Sequence, residues 1–230
     1  MQRLMLAALA TLISTAAMAQ AGKTPSLDAV VGHYRFQSGL IMKVEKNGEG
    51  LSVTSTGSTP QGVLPSPDGK FNYTQIAAYL TFDLDAAGKA TTLNFHTDDK
   101  SLPAARLDEA TAKKAADALA AKIKNQTADP TCATTLKRVV EELRAGKPDY
   151  SKMTPVFAQQ TRTQLSAIQG AVQQLGALKD VKFTGVGPAG AEIFNVAFEN
   201  GATEWRMFCL GNGYISSAGF RPASPASPTK

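Results

Sequence analysis

The chain has few of the side chains that most often carry catalysis or metal binding. Its 230 residues include two histidines, two cysteines and one tryptophan. The histidines, His33 and His96, lie far apart with no acidic residue at ligand spacing, which argues against a zinc site. The cysteines, Cys132 and Cys209, form no Cys-x-x-Cys motif, which argues against a thioredoxin-like redox centre. We therefore expect neither a metal nor a cofactor.

Charge and hydropathy exclude two further classes. The net charge is +5 and the lysines are scattered, which indicates a solvated surface and no nucleic-acid interface. One apolar run, Leu4 to Ala17, follows Arg3 and precedes a small-x-small cleavage site at Ala17-Met18-Ala19. The run is too short for a membrane span and has the order of a secretory signal peptide. We expect residues 1–19 to be removed, which leaves a periplasmic or secreted protein without a membrane span.

Short alternating segments separated by Gly, Asn and Asp turns fill the chain from Asp28 to Arg106. The candidate strands are His33–Phe36, Leu40–Glu45, Leu51–Ser55, Gln61–Leu64, Lys70–Thr74, Tyr79–Asp85, Thr91–His96 and Leu102–Arg106. Many short strands at regular spacing predict a small antiparallel β-barrel or sandwich over residues 26–107.

Helical periodicity then takes over. Asp108 is a candidate N-cap for an Ala- and Lys-rich helix that ends near Asn125, and we interpret residues 108–128 as a linker helix and loop. Two more helices follow, one with Pro130 at its first position and one with Thr154 as its cap.

The last part of the chain has the pattern of a β-meander. Its predicted strands are Val181–Thr184, Ala191–Phe198 and Thr203–Leu210, with a fourth at Tyr214–Ser217. The string Gly185–Gly190 matches Gly-x-Gly-x-x-Gly, but a β-alternating run follows it, which favours a hairpin over a dinucleotide site. We therefore predict an α+β chain: the barrel domain, then a two-helix layer on a three- to four-stranded antiparallel sheet over 129–220, and a disordered tail over 221–230.

Three stretches resemble a known family when taken in order. They are Val30–Tyr34, Leu80–Lys89 and Leu102–Arg106, which contain Gly32-His33-Tyr34, Asp85-Ala86-Ala87-Gly88-Lys89 and Leu102-Pro103-Ala104-Ala105-Arg106. They are similar to the small lipocalin-like β domain of unknown function that is appended to class C β-lactamase-like serine hydrolases. The second half, with Leu143–Tyr150, Gly190–Gly201 and Glu204-Trp205-Arg206, is similar to C-terminal extensions of such exported hydrolases. The resemblance implies a nuclear-transport-factor-2-like or cystatin-like layer there. The catalytic domain of these hydrolases is absent, so the resemblance implies no catalytic residue.

The two cysteines have a shared setting. Cys132 falls on the apolar stripe of its helix with Leu136 and Leu143, and Cys209 on the same strand face as Trp205 and Met207. Both should face the layer between helix and sheet, which in an oxidising compartment favours a disulfide. Two buried free thiols are the alternative.

Four aromatic residues are the candidate binding residues. They are Phe157, Phe194, Trp205 and Tyr214, which could line a cavity for a small apolar ligand between sheet and helices. The alternative is a filled core, which is the commoner use of aromatic side chains.

Three functional hypotheses follow. The first is an exported, non-catalytic binding or accessory protein of the cell envelope, whose partner is a small apolar ligand or a hydrolase. The second is a periplasmic hydrolase that uses His96 with Asp98 or Asp99, although the Gly-x-Ser-x-Gly nucleophile elbow is absent. The third is an interaction module that binds through an exposed β edge of the first domain. The oligomeric state stays open.

Overall fold

The computed structural model describes residues 24–97 and 100–223. The expected signal peptide, Asp98, Asp99 and most of the expected tail lie outside these residues. The first half contains a short helix, α1 (Leu27–Val30), and eight strands. The strands are β1 (Gly32–Phe36), β2 (Ile41–Asn47), β3 (Gly50–Ser55), β4 (Gln61–Pro65), β5 (Phe71–Tyr73), β6 (Tyr79–Leu84), β7 (Ala90–His96) and β8 (Ser101–Arg106).

These strands form a closed antiparallel barrel, in which each strand pairs with the next and β8 returns to β1. The closing register pairs Tyr34 with Arg106 and Phe36 with Ala104. Closure confirms the barrel and leaves it no free edge strand, so the hypothesis of binding at an exposed edge of this domain is wrong. Inward-facing side chains such as Phe71, Leu80 and Leu93 are fully buried and fill the interior.

One end of the barrel is closed by Tyr34 and Arg106. The Tyr34 hydroxyl donates to the Val30 carbonyl of α1 at 2.7 Å. The Arg106 guanidinium donates to the Tyr34 hydroxyl at 3.1 Å and to the Ala29 and Ala90 carbonyls at 3.2 and 3.0 Å. Burial raises the pKa of Tyr34 to about 12, so its hydroxyl remains a donor at neutral pH.

The second half consists of three helices, a 3₁₀ turn and four strands. They are α2 (Glu109–Asn125), α3 (Cys132–Ala145), the turn Tyr150–Lys152, α4 (Pro155–Gln174), β9 (Leu178–Val186), β10 (Glu192–Phe198), β11 (Gly201–Gly211) and β12 (Tyr214–Pro222). The four strands form an antiparallel sheet in the order β12-β11-β10-β9. Side chains of α3 and α4 pack with one face of this sheet in a second core, and we call this unit the helix–sheet layer. The α+β fold class is therefore confirmed.

Three local expectations differ from the structure. Helix α3 begins at Cys132 with Thr131 as its N-cap, so Pro130 precedes the helix and does not open it. Thr154 occupies the N-cap of α4, but its hydroxyl donates to the Ser216 carbonyl at 3.4 Å instead of capping the helix. Strand β12 runs to Pro222, two residues into the expected tail, because Arg221 pairs with Glu204 on β11.

The helix–sheet layer meets the barrel at the end opposite Arg106, which we call the mouth. In an up-and-down barrel the β1–β2, β3–β4, β5–β6 and β7–β8 connections share one end. Gly39 and Gly57, in the first two of these connections, lie against Leu210 and Phe208 of β11. Leu210 and Val156 also pack on the barrel core. The layer therefore covers part of the mouth.

Candidate functional site

The aromatic residues expected to line a ligand cavity lie mainly in a packed core. Phe194 and Trp205 are fully buried. The Trp205 indole donates to the Thr203 hydroxyl at 2.9 Å and stacks on Phe220 at 4.6 Å between ring centroids. Phe194 packs edge-on against Phe183 at 5.8 Å. Their polar groups and ring faces are therefore already occupied by protein.

The other two candidates lie at different places. Phe157 packs at the margin of the second core, and the Tyr214 ring lies under the Lys152 ammonium at 4.6 Å. None of the four lines either of the two best-formed openings in the described part of the chain.

The cysteines form a disulfide, as predicted. Cys132, at the start of α3, is bonded to Cys209 on β11, with a Cα–Cα separation of 5.7 Å. Both residues are buried. The bond fixes the first turn of α3 to the strand whose neighbouring residues, Phe208 and Leu210, contact the barrel.

The two histidines are on the barrel wall. Burial lowers the pKa of His33, and the nearby Lys43 lowers it further. The ring of His96 stacks on Tyr79 at 4.5 Å, and its Nε2 lies 2.9 Å from the Thr81 hydroxyl. Burial lowers the pKa of His96 as well. The acids that the hydrolase hypothesis pairs with His96 lie outside the described residues, so that hypothesis stays a prediction.

Two classes of site were searched for in residues 24–97 and 100–223. No group of three or more His, Cys, Asp or Glu side chains there is arranged to hold a metal ion. Within the same residues, no helix has the length and apolar character needed to cross a bilayer.

The larger of the two openings lies at the barrel mouth, on the side that the helix–sheet layer leaves uncovered. It has a volume of about 410 Å³. Its lining comes from β5, the β5–β6 loop, the start of β6 and the β7–β8 turn: Asn72, Tyr73, Ile76, Ala77, Ala78, Tyr79 and Thr97. This volume falls in the range of small-molecule sites. The described lining residues combine apolar and hydrogen-bonding groups, and none of them is charged.

Tyr73 gives this mouth pocket its chemical character. Its position on β5 has the same parity as the buried Phe71, so its ring points inward, where it packs edge-on against Phe95 at 5.7 Å. Burial raises the pKa of Tyr73 well above its usual range, so the hydroxyl is a neutral donor. Among the described residues, that hydroxyl has no hydrogen-bond partner.

Several other side chains around the pocket already make contacts within the protein. The Asn72 amide donates to the Ser66 hydroxyl at 3.1 Å. Tyr79 is covered by His96 and by the Lys70 ammonium, which lies 5.0 Å from its ring centroid and pairs with Asp68 at 2.7 Å. Ile76 packs on the barrel core from the β5–β6 loop. The opening is therefore lined by both apolar and polar groups. Two of its phenols make no hydrogen bond within the described residues: that of Tyr73, on the inward face of β5, and that of Tyr79, whose parity is opposite to that of the buried Leu80.

The second opening, of about 280 Å³, lies on the helix–sheet layer and is lined by Glu141, Arg144, Ala145 and Gln173. Its polar groups bond to one another. Arg144 pairs with Glu141 at 2.6 Å, and the Gln173 amide donates to the Arg144 carbonyl at 3.1 Å. We therefore take the mouth pocket as the candidate site.

A buried ion pair was missed from the sequence. Glu192, at the start of β10, is fully buried, and its Oε1 accepts from the Lys122 ammonium at 2.7 Å and from the Asp129 amide at 2.8 Å. Its Oε2 is buried and has no partner among the described residues. The parity of Glu192 with Phe194 and Val196 was the available signal, since it places Glu192 on the inward face.

Gln126 attaches the end of α2 to the same region. Its backbone is left-handed, with φ of 52°, and its side-chain amide both accepts from the Val186 N–H at 2.7 Å and donates to the Val186 carbonyl at 3.0 Å. The amide thus makes with β9 the two hydrogen bonds that a residue of a neighbouring strand would make. Helix α2 is therefore docked on the sheet at two points, Lys122 and Gln126.

Comparison of the chain with protein-family models, curated proteins and solved structures finds no match. The mouth pocket and the buried junction around Glu192 are therefore interpreted from their own geometry.

Proposed function

We propose that the protein is an exported, non-catalytic binding protein of the bacterial cell envelope, and that it holds a small, partly apolar ligand in the mouth pocket. The observation that carries this proposal is the opening of about 410 Å³ whose lining combines apolar side chains with Tyr73, the hydroxyl of which has no hydrogen-bond partner among the described residues. Ligand sites in barrels are commonly found at the mouth, where a few polar groups orient an otherwise apolar contact.

Two sequence features support export of the protein and its assignment as an accessory protein. The order of residues 1–19 is that of a secretory signal, and the chain resembles the lipocalin-like domain found beside exported serine hydrolases. These features support an accessory role near an envelope hydrolase, with the ligand bound by the barrel. The nuclear-transport-factor-2-like character of the second half belongs to the same proposal.

The test is to fill the pocket and measure binding of an uncharged fluorescent probe, Nile red. Ala77 is exposed and lines the pocket, so Ala77→Trp places an indole in the opening without disturbing the barrel core. Ala86, exposed in the β6–β7 turn at the opposite end of the barrel, provides the matched control Ala86→Trp. We expect saturable binding by the wild-type protein and the control, and a loss of about tenfold or more in affinity for Ala77→Trp.

Equal Nile red affinity in all three proteins would place the probe elsewhere and remove the proposal. If the affinity falls in Ala77→Trp as expected, mass spectrometry of molecules that co-purify with the wild-type protein, but not with Ala77→Trp, identifies the natural ligand.

A further inference from the structure

The Tyr73 hydroxyl makes no hydrogen bond within the described residues, although its ring is fixed against Phe95 inside the barrel. The hydroxyl is not among the fully buried unpaired atoms, and Tyr73 lines the opening at the mouth, so a molecule in the pocket can reach it. A phenylalanine would fill the same space without the hydroxyl and would break no hydrogen bond of the protein. The hydroxyl therefore contributes nothing evident to the stability of the free protein.

We infer that the Tyr73 hydroxyl is the hydrogen-bond donor that selects the ligand, so that the mouth pocket takes a molecule joining an apolar group to an uncharged acceptor oxygen such as a carbonyl. This inference rests on the proposed function. The apolar group would lie against Ile76 and Ala78, which line the same pocket.

The lining explains why the acceptor is uncharged. Among the described residues, those that line the pocket include no lysine, arginine or histidine. The nearest ammonium above Tyr79, that of Lys70, is already paired with Asp68. A carboxylate ligand would lose its hydration without gaining an opposite charge, whereas a carbonyl loses less and gains a hydrogen bond from a neutral phenol.

The experiment compares acetophenone with ethylbenzene, a pair that exchanges a carbonyl for a methylene. Both are titrated by ligand-observed NMR, in competition with Nile red, into the wild-type protein and Tyr73→Phe. The control is Tyr150→Phe, because Tyr150 lies in the turn between α3 and α4 and does not line the pocket. We expect the wild-type protein and the control to prefer acetophenone about tenfold, and Tyr73→Phe to bind the two probes equally.

Thermal unfolding separates this role from a structural one. Tyr73→Phe should melt at the same temperature as the wild-type protein or higher, whereas a hydroxyl needed for folding would lower the melting temperature on removal. The inference is overturned if the wild-type protein shows no preference for acetophenone, or if the preference survives in Tyr73→Phe. In either case, a Nile red affinity that still falls in Ala77→Trp would leave the proposed function standing.

Discussion

Glu192 shows how a single strand position can combine burial with charge. It occupies an inward position of β10, between Val186 on one neighbouring strand and Met207 on the other. A carboxylate in such a place needs a partner, since the loss of hydration otherwise exceeds any gain from packing. Lys122 of α2 supplies the partner, and its side chain remains 21% exposed while that of Glu192 is fully buried. The two charges therefore have unequal access to water.

This inequality leads to a prediction for the pair. Lys122→Met strands the carboxylate in the protein interior and should lower the free energy of unfolding by about 3 kcal/mol. Glu192→Gln leaves an ammonium that can rehydrate, so the loss should be smaller, about 1–2 kcal/mol. The double variant should lose less than the sum of the two. Urea denaturation of the four proteins measures these values, and equal, additive losses would show that the contact is not an energetic pair.

The residue-level predictions from the sequence depended on which way each side chain points from its helix or strand. Cys132 and Cys209 were paired correctly because helical and strand periodicity each placed one sulfur toward the same layer. The same alternation applied to Glu192 and to Tyr73 would have placed both side chains inward. The missing partner of the Tyr73 hydroxyl could not be predicted, because it depends on which loops meet at the barrel mouth.

At the scale of elements, local patterns predicted the strands well. The eight barrel strands were recognised because Gly, Asn and Asp turns separate short alternating runs. The end of β12 was missed because a Pro- and Ser-rich tail follows it. What extends the strand is tertiary: Phe220 stacks on Trp205, and Arg221 pairs with Glu204. These contacts cannot be predicted from composition alone.

The disulfide is the strongest constraint between two elements, α3 and β11. It closes a sequence separation of 77 residues, for which the chain-entropy model gives about 4–5 kcal/mol of stabilisation. We expect Cys132→Ala/Cys209→Ala to lower the free energy of unfolding by roughly that amount. Urea denaturation of the variant, compared with the wild-type protein with and without reductant, measures the loss. A loss below about 1 kcal/mol would indicate that the noncovalent packing of α3 already restricts this loop.

At the scale of the whole molecule, barrel closure lay beyond sequence reasoning. The pairing of β1 with β8 joins Tyr34 to Arg106, and no local pattern distinguishes this closure from an open sandwich. The contact between barrel and helix–sheet layer is equally non-local. Phe208 of β11 is buried beside Gly57 of the β3–β4 turn, and the Lys122 ammonium lies 5.8 Å from its ring centroid. Any side chain at Gly57, which has φ of +81°, would collide with this ring.

Phe208 therefore joins three parts of the chain: the barrel, α2 and the sheet. Removing its ring should uncouple the barrel from the helix–sheet layer, because the other apolar side chains of the layer that pack on the barrel core in the described residues, Leu210 and Val156, are only partly buried. Two signals can follow the two parts separately. Fluorescence of Trp205, the single tryptophan, reports on the layer alone. Near-ultraviolet circular dichroism also reports on the barrel tyrosines Tyr34 and Tyr73.

We expect the wild-type protein to show coincident urea transitions by both signals, and Phe208→Ala to show two separated transitions with a total loss of about 3 kcal/mol. The matched control is Phe183→Ala, which removes a ring from the second core at β9, away from the junction. Because the control weakens the layer but leaves Phe208 in place, its two signals should stay coincident. Coincident transitions in Phe208→Ala would mean that the barrel and the layer are held together by the α2 contacts of Lys122 and Gln126, and not by this ring.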